Sequence, residues 1–438
     1  MSNKTIKYHI ISAVCIVVGI LAGHALADDS VMPWKTNRPI VDVKRELIYK
    51  TPVPGACAVL QYEYVGPKLE LLERRCGHML SDFLAKETWR VSKDNGRTWS
   101  EAWPMPDSAV YHSGVKFYEG FSPKAYDPRS GALVAVWLRQ VEHAGLCHNF
   151  CYWRISRDCG RTWSEPKQLC YEPAETFDPA KPLAAGFLEK NQGYFGSNII
   201  IHSNGTLIHC LAHANAPNDQ HNSRRAWRMG SICFIGRWDT AAGDYLWEAG
   251  KPVEISPAWS SRGLMEPELA ELKDGRVLVI WRGSNTKTTP GRKWFSVSTD
   301  GGRTLAPVAE LRYDDGSRFY SPSSFHKMIR HSRSGKLYWV GNICPKPPKA
   351  NWPRYPLIIA EVDEDKLALK KNTVTMIDDR REGESSSLQL SNFSLIENRE
   401  THNIEVYLGR MAAKPGDSWA GDAYKYTLAL TPQPSEEK

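Results

Sequence analysis

Long apolar runs are scarce in this chain of 438 residues. Past residue 21 no segment is long enough to cross a bilayer, and no long amphipathic pattern at helical spacing recurs, which excludes a multi-span membrane protein and a helical bundle. Runs of like charge are missing too. The 56 Lys and Arg and the 49 Asp and Glu are interspersed, so the net charge of +7 does not gather into the basic face that a nucleic-acid binder needs. The same modest charge is compatible with an anionic ligand.

What is present at the start reads as an export signal. Lys4 and Lys7 precede an apolar run from Ile10 to Leu21, and Ala25-Leu26-Ala27 stands before Asp28-Asp29. Residues 1–27 are therefore expected to be removed near Ala27, leaving a secreted or periplasmic protein of residues 28–438 with no membrane contact. An uncleaved anchor is the alternative, and the shortness of the run speaks against it. Nine cysteines follow the signal, so at least one thiol must remain unpaired. Cys147, Cys151, Cys159 and Cys170 are near enough in sequence to pair, but spacing does not give the connectivity. Zinc at Cys147-His148-x-x-Cys151 is a weak reading, because zinc sites normally use two spaced pairs.

Three copies of one pattern organise the rest: Ser92-Lys93-Asp94-Asn95-Gly96-Arg97-Thr98-Trp99, Ser156-Arg157-Asp158-Cys159-Gly160-Arg161-Thr162-Trp163 and Ser298-Thr299-Asp300-Gly301-Gly302-Arg303-Thr304-Leu305. Each reads as a turn in which Asp bonds the backbone two residues on, Gly takes a positive φ and Trp plugs the turn into neighbouring strands. The copies start 64 and then 142 residues apart, and the second gap has room for one more unit. A decayed copy is expected at Arg237-Trp238-Asp239 to Gly243, and another near Val362 to Asp365. Alternating apolar segments such as Gly131–Trp137, Gly205–Leu211, Gly275–Trp281 and Gly335–Val340, each opened by a turn residue, read as strands. Roughly 385 residues at 64 to 71 per unit make six units, and β repeats of that period indicate an all-β, six-bladed propeller.

The repeated pattern resembles the Asp box of the sialidase (neuraminidase) superfamily, over roughly residues 45–430. The resemblance implies a single propeller domain and hydrolysis of a terminal acidic sugar, sialic acid or a relative, from a glycan, with no cofactor. Sixteen Trp and eighteen Tyr suit a sugar ligand as well, although several plug turns.

Propeller sites form where the blades converge on the axis. Met265-Glu266-Pro267-Glu268 followed by Asp274-Gly275 and Arg282 looks like the sialidase blade that carries a catalytic glutamate and one arginine of a triad. Glu266 and Arg282 take those places, while Glu268 and Glu271 are expected to be solvated. An arginine fork suits a sugar carboxylate, and a carboxylate can activate a nucleophile. Arg354 resembles a second triad arginine. Asp82, on a stretch like the loop that bears the family's acid/base aspartate, is the candidate proton donor, with Arg75 and Arg74 beside it as binders.

Two departures from the family stand out. The stretch matching its first-blade arginine motif is Pro54-Gly55-Ala56-Cys57, without an arginine. The stretch matching its nucleophilic tyrosine holds Phe393, which has no hydroxyl. Three readings follow: a hydrolase in which another hydroxyl such as Tyr320 or Tyr355 substitutes, a lyase of uronate-containing glycans using Tyr111-His112 or His209 with His213, or a glycan-binding propeller without catalysis.

Overall fold

The computed structural model describes residues 32–79, 86–106, 108–214, 229–417 and 419–432. The stretch read as an export signal, Asp82 and the last six residues lie outside these ranges. The described residues form six antiparallel sheets, each a blade, and five of them are built from chain-adjacent strands. Blade 1 runs Cys57–Tyr64, Leu71–Met79, Thr88–Ser92 and Trp103–Pro104. Blade 4 runs Met265–Glu271, Val277–Arg282, Lys293–Ser298 and Ala309–Glu310. Blade 6 contributes only three strands from its own stretch of chain, Phe393–Glu397, Ile404–Gly409 and Ala423–Leu430. Its outermost strand is Val41–Tyr49, paired with Ala423–Leu430, so the first strand of the chain ties the ring shut.

The four segments read as strands from their apolar pattern lie in Ala132–His143 of blade 2, Leu207–Ala214 of blade 3, Val277–Arg282 of blade 4 and Leu337–Asn342 of blade 5, each paired with the inner strand of its blade. Neighbouring blades cover both faces of such a strand, which is why it is apolar nearly throughout: every residue of Val277–Arg282 and of Leu337–Asn342 is buried. Between blades 4 and 5, Leu278 and Ile280 meet Met328, Trp339 and Ile358 in one apolar cluster.

All three boxes lead into the outermost strand of a blade, and both decayed copies fall at the corresponding turn of blades 3 and 5. Gly96, Gly160 and Gly302 take φ of 88°, 90° and 92°, as the turn demands. The expected Asp bond is shifted, however. Ser92 Oγ accepts from the amides of Asp94 and Gly96, while Asp94 Oδ1 accepts from the amide of Thr98, four residues on. The other two boxes repeat this arrangement. The decayed copies lack that serine, and there the aspartate does bond two residues on, Asp239 to the Ala241 amide and Asp363 to the Asp365 amide. The serine hydroxyl takes the near amides and leaves the carboxylate for the threonine.

Antiparallel order then fixes the opposite end of the ring. Boxes lie at one end, so the starts of the inner strands and the connections from second to third strands lie at the other. None of the nine cysteines is in a disulfide. Cys147 and Cys151 sit four residues apart on one extended strand, about 13 Å by strand geometry, too far to share a zinc ion.

Candidate functional site

The inner strand of blade 4 opens at the end of the ring away from the boxes. Met265 pairs with Arg282, but the ladder resumes only at Glu268 with Ile280, so Glu266 and Pro267 form a bulge. Pro267 has no amide to give the ladder, and Glu266 holds a φ of 46°, a left-handed conformation costly for a residue with a side chain. Such strain persists where the surroundings fix it, commonly at functional positions. Here it accompanies a buried ion pair: Arg282 Nη1 donates to Glu266 Oε2, with Glu266 only 5% and Arg282 only 6% exposed. Arg282 Nε donates to Ser323 Oγ at 2.9 Å, and Ser284 Oγ donates to the same oxygen at 3.0 Å. Ser197 Oγ, from blade 3, donates to the Glu266 carbonyl at 3.3 Å.

Directly across the ladder from Arg282 stands Lys293, whose side chain shares its face of the sheet and is 0% exposed. Its amine donates to the carbonyls of Ser324 at 2.6 Å and Pro322 at 3.2 Å. Burial pushes its pKa down from 10.5 to about 7, and the charges of Arg282 and Arg354 add to that, while Glu266 opposes it. Arg354 thus lies within the electrostatic reach of the pair. It occupies the connection between the second and third strands of blade 5, where Nη1 donates to Gln389 Oε1 at 2.6 Å and its guanidinium lies 5.6 Å from the Trp352 ring. One carboxylate and two basic groups of blade 4 therefore lie together, with Arg354 of blade 5 within their field. A site of this kind can hold an anion and stabilise charge that develops beside it.

A family model described as the BNR repeat-like domain matches residues 122–386, more than half of the chain. The chain belongs to that family. Solved structures agree on the fold of this BNR repeat-like propeller. NanB with Optactamide superposes with a TM-score of 0.53 at 12% identity, over 88% of this chain and 70% of that one. A Hadza microbial sialidase gives 0.53 at 12%, over 86% and 66%. An alpha-L-arabinanase from Penicillium chrysogenum, complexed with arabinobiose, gives 0.51 at 13%, over 90% and 99%. The search of curated proteins returned no match.

In this BNR repeat-like propeller the first-blade arginines hold ion pairs of their own. Arg74 Nε donates to Glu87 at 2.8 Å, and its guanidinium lies against Trp89 in a buried network that also contains the Lys124–Glu63 ion pair between blades 1 and 2. Arg75 pairs with Glu73 at 3.0 Å and lies over the ring of Tyr49. Alternation along their strand sends these two neighbours to opposite faces of blade 1, into separate structural ion pairs. Cys57 fills the place without an arginine, and burial pushes its thiol up to about 12. Phe393 is buried among Leu388, Leu390 and Leu408.

Glu268 is not solvated. It is buried, its Oε1 accepts from the Met328 amide at 3.1 Å, and burial pushes its pKa up to about 7 against the pull of Lys327. Two further residues at this end passed unnoticed in the sequence. Lys293 opens its strand directly after Arg292 and reads there as an ordinary surface charge, and Tyr194 packs against the cluster of Ala212 and Met265, the latter the neighbour of Glu266. Tyr320 instead lies under the guanidinium of Arg292, and Tyr355 under that of Arg380. His209 is locked at both nitrogens, facing the Asn198 carbonyl and the Gly196 amide, and burial lowers its pKa to about 4. His112 is wedged between Phe117 and Phe177 on blade 2.

Proposed function

We propose that this protein is an exported glycoside hydrolase that releases a terminal acidic sugar from a glycan. The observation that carries the reading is the buried Glu266–Arg282 pair, with Lys293 opposite and Arg354 in its field. In this proposal the guanidinium groups of Arg282 and Arg354 receive the sugar carboxylate, since planar forks match a carboxylate bidentately. Glu266 stands next to the anomeric centre, where it stabilises positive charge or draws the proton from a hydroxyl nucleophile, and Asp82 protonates the leaving oxygen. Tyr194, packed against the cluster of Ala212 and Met265 beside Glu266, is the hydroxyl assigned to the nucleophile in place of Phe393.

Incubating protein that begins at Asp28 with sialylated, uronate-containing and arabinose-containing glycans, followed by mass spectrometry of the products, tests the reading. Free acidic sugar, abolished by Glu266→Gln and by Arg282→Ala, is the expected result. Neutral arabinose alone would move the substrate class, and an unsaturated uronide would mean a lyase. The burial of Phe393 and Cys57 favours a second reading, a propeller that binds glycans without cutting them. It predicts binding that depends on Arg282 with no product from any glycan.

A further inference from the structure

Of the tryptophans among the described residues only two are exposed, Trp259 at 48% and Trp352 at 38%. Both stand on loops bonded through to Ser323, the serine that holds Arg282. Trp259 lies flat on Trp294, with ring centroids 5.6 Å apart and planes 7° from parallel, so one indole face is backed by protein. Its neighbour Ser260 accepts from the Ser284 amide, and Ser284 donates to the Ser323 hydroxyl that also holds Arg282. On the other side the Ser323 amide donates to the Ala350 carbonyl, and the Ala350 amide donates to Asn285 Oδ1. Trp352 exchanges two backbone bonds with Lys349, in the same loop as Ala350. Thr286 and Thr289 bond the Ala258 carbonyl and join the Trp259 turn to the Asn285 loop. One serine thus links Arg282 to both loops that present an indole.

Large apolar side chains left exposed beside a polar site mark a binding surface, and flat indole faces suit the C–H faces of sugar rings. We propose that Trp259 and Trp352 form an aromatic platform for the sugar units next to the one held at Arg282 and Arg354, so that the ligand is an oligosaccharide. This deepens the function proposed above and rests on its site.

Titration calorimetry in a Glu266→Gln background, which keeps the ligand intact, tests the platform. The probes are sialyllactose, a uronate trisaccharide and arabinotriose, each beside its terminal monosaccharide. One trisaccharide should bind about fivefold to tenfold more tightly than its monosaccharide, as one or two stacking contacts allow. Trp259→Ala and Trp352→Ala should each remove most of that gain and leave the monosaccharide affinity unchanged, and Trp259→Phe should keep part of it. A gain that survives both alanine variants, or no gain at all, overturns the platform. A tryptophan-dependent gain on arabinotriose alone keeps the platform and sinks the acidic-sugar reading. Binding of an acidic monosaccharide that depends on Arg282, without any gain from length, does the reverse. No binding of any probe overturns both.

Discussion

Replacing Lys293 with methionine should change how the stability of the ring depends on pH. The folded amine has its pKa pushed down from 10.5 to about 7, by burial first and then by Arg282 and Arg354, with Glu266 and Cys344 opposing. His326 also lies within its field. The unfolded chain keeps the ordinary value. Between about pH 7 and pH 10.5 the unfolded chain therefore binds one proton more than the folded one, and stability rises with pH across that window. Below it both forms are charged, and the buried ammonium is a constant destabilisation. Moving from pH 7 to pH 9 relieves about 2 kcal/mol of it. An unfolding entropy of about 2.1 cal/mol/K per residue over roughly 380 residues turns that into about 3 °C of melting temperature. Methionine has no proton to lose, so the variant lacks this gain. Melting curves at both pH values should show wild type gaining about 3 °C on Lys293→Met as the pH rises. A gap that stays constant to within about 1 °C, or that moves the other way, would mean that Lys293 remains an ammonium paired with Glu266 and would refute the reasoning.

Arg282→Ala leaves Glu266 as a buried carboxylate without its ion-pair partner, which should cost about 3–5 kcal/mol; the double variant with Glu266→Gln should recover most of that loss in calorimetry while remaining inactive. Arg74→Met removes the partner of partly buried Glu87 and should destabilise by about 1–3 kcal/mol, yet leave KM unchanged in the product assay, because Arg74 is held in that ion pair. Asp158→Ala deletes the bonds from the Thr162 amide and hydroxyl at one box; a loss of about 1–3 kcal/mol in thermal unfolding with full activity is expected.

The architecture was legible because a propeller writes its period into the chain. Each box needs Gly at a positive φ and a hydroxyl and a carboxylate at fixed offsets, and these are local demands that survive as residue identities. The apolar strands were legible for a related reason, since burial on both faces leaves an apolar run. Glu266 and Arg282 could be paired in advance because they flank one hairpin and the ladder brings its two ends together. Arg74 and Arg75 could not be told apart in the sequence, because strand alternation gives them opposite faces, where Arg74 meets Glu87 and Arg75 meets Glu73 of its own strand.

By itself, then, the sequence determined the repeat, the number of blades and which hairpin carries the ion pair, all of them consequences of local backbone geometry. Only the tertiary structure decided which charges are buried and what faces them. Lys293 becomes a group with a pKa near 7, and Glu268 a buried carboxyl rather than a solvated one, because neighbouring segments remove water from them. Trp259 and Trp352 stay exposed on loops of blades 4 and 5 that are joined through Ser323, the serine that holds Arg282. Desolvation and convergence are properties of the closed ring, and no single stretch of chain encodes them.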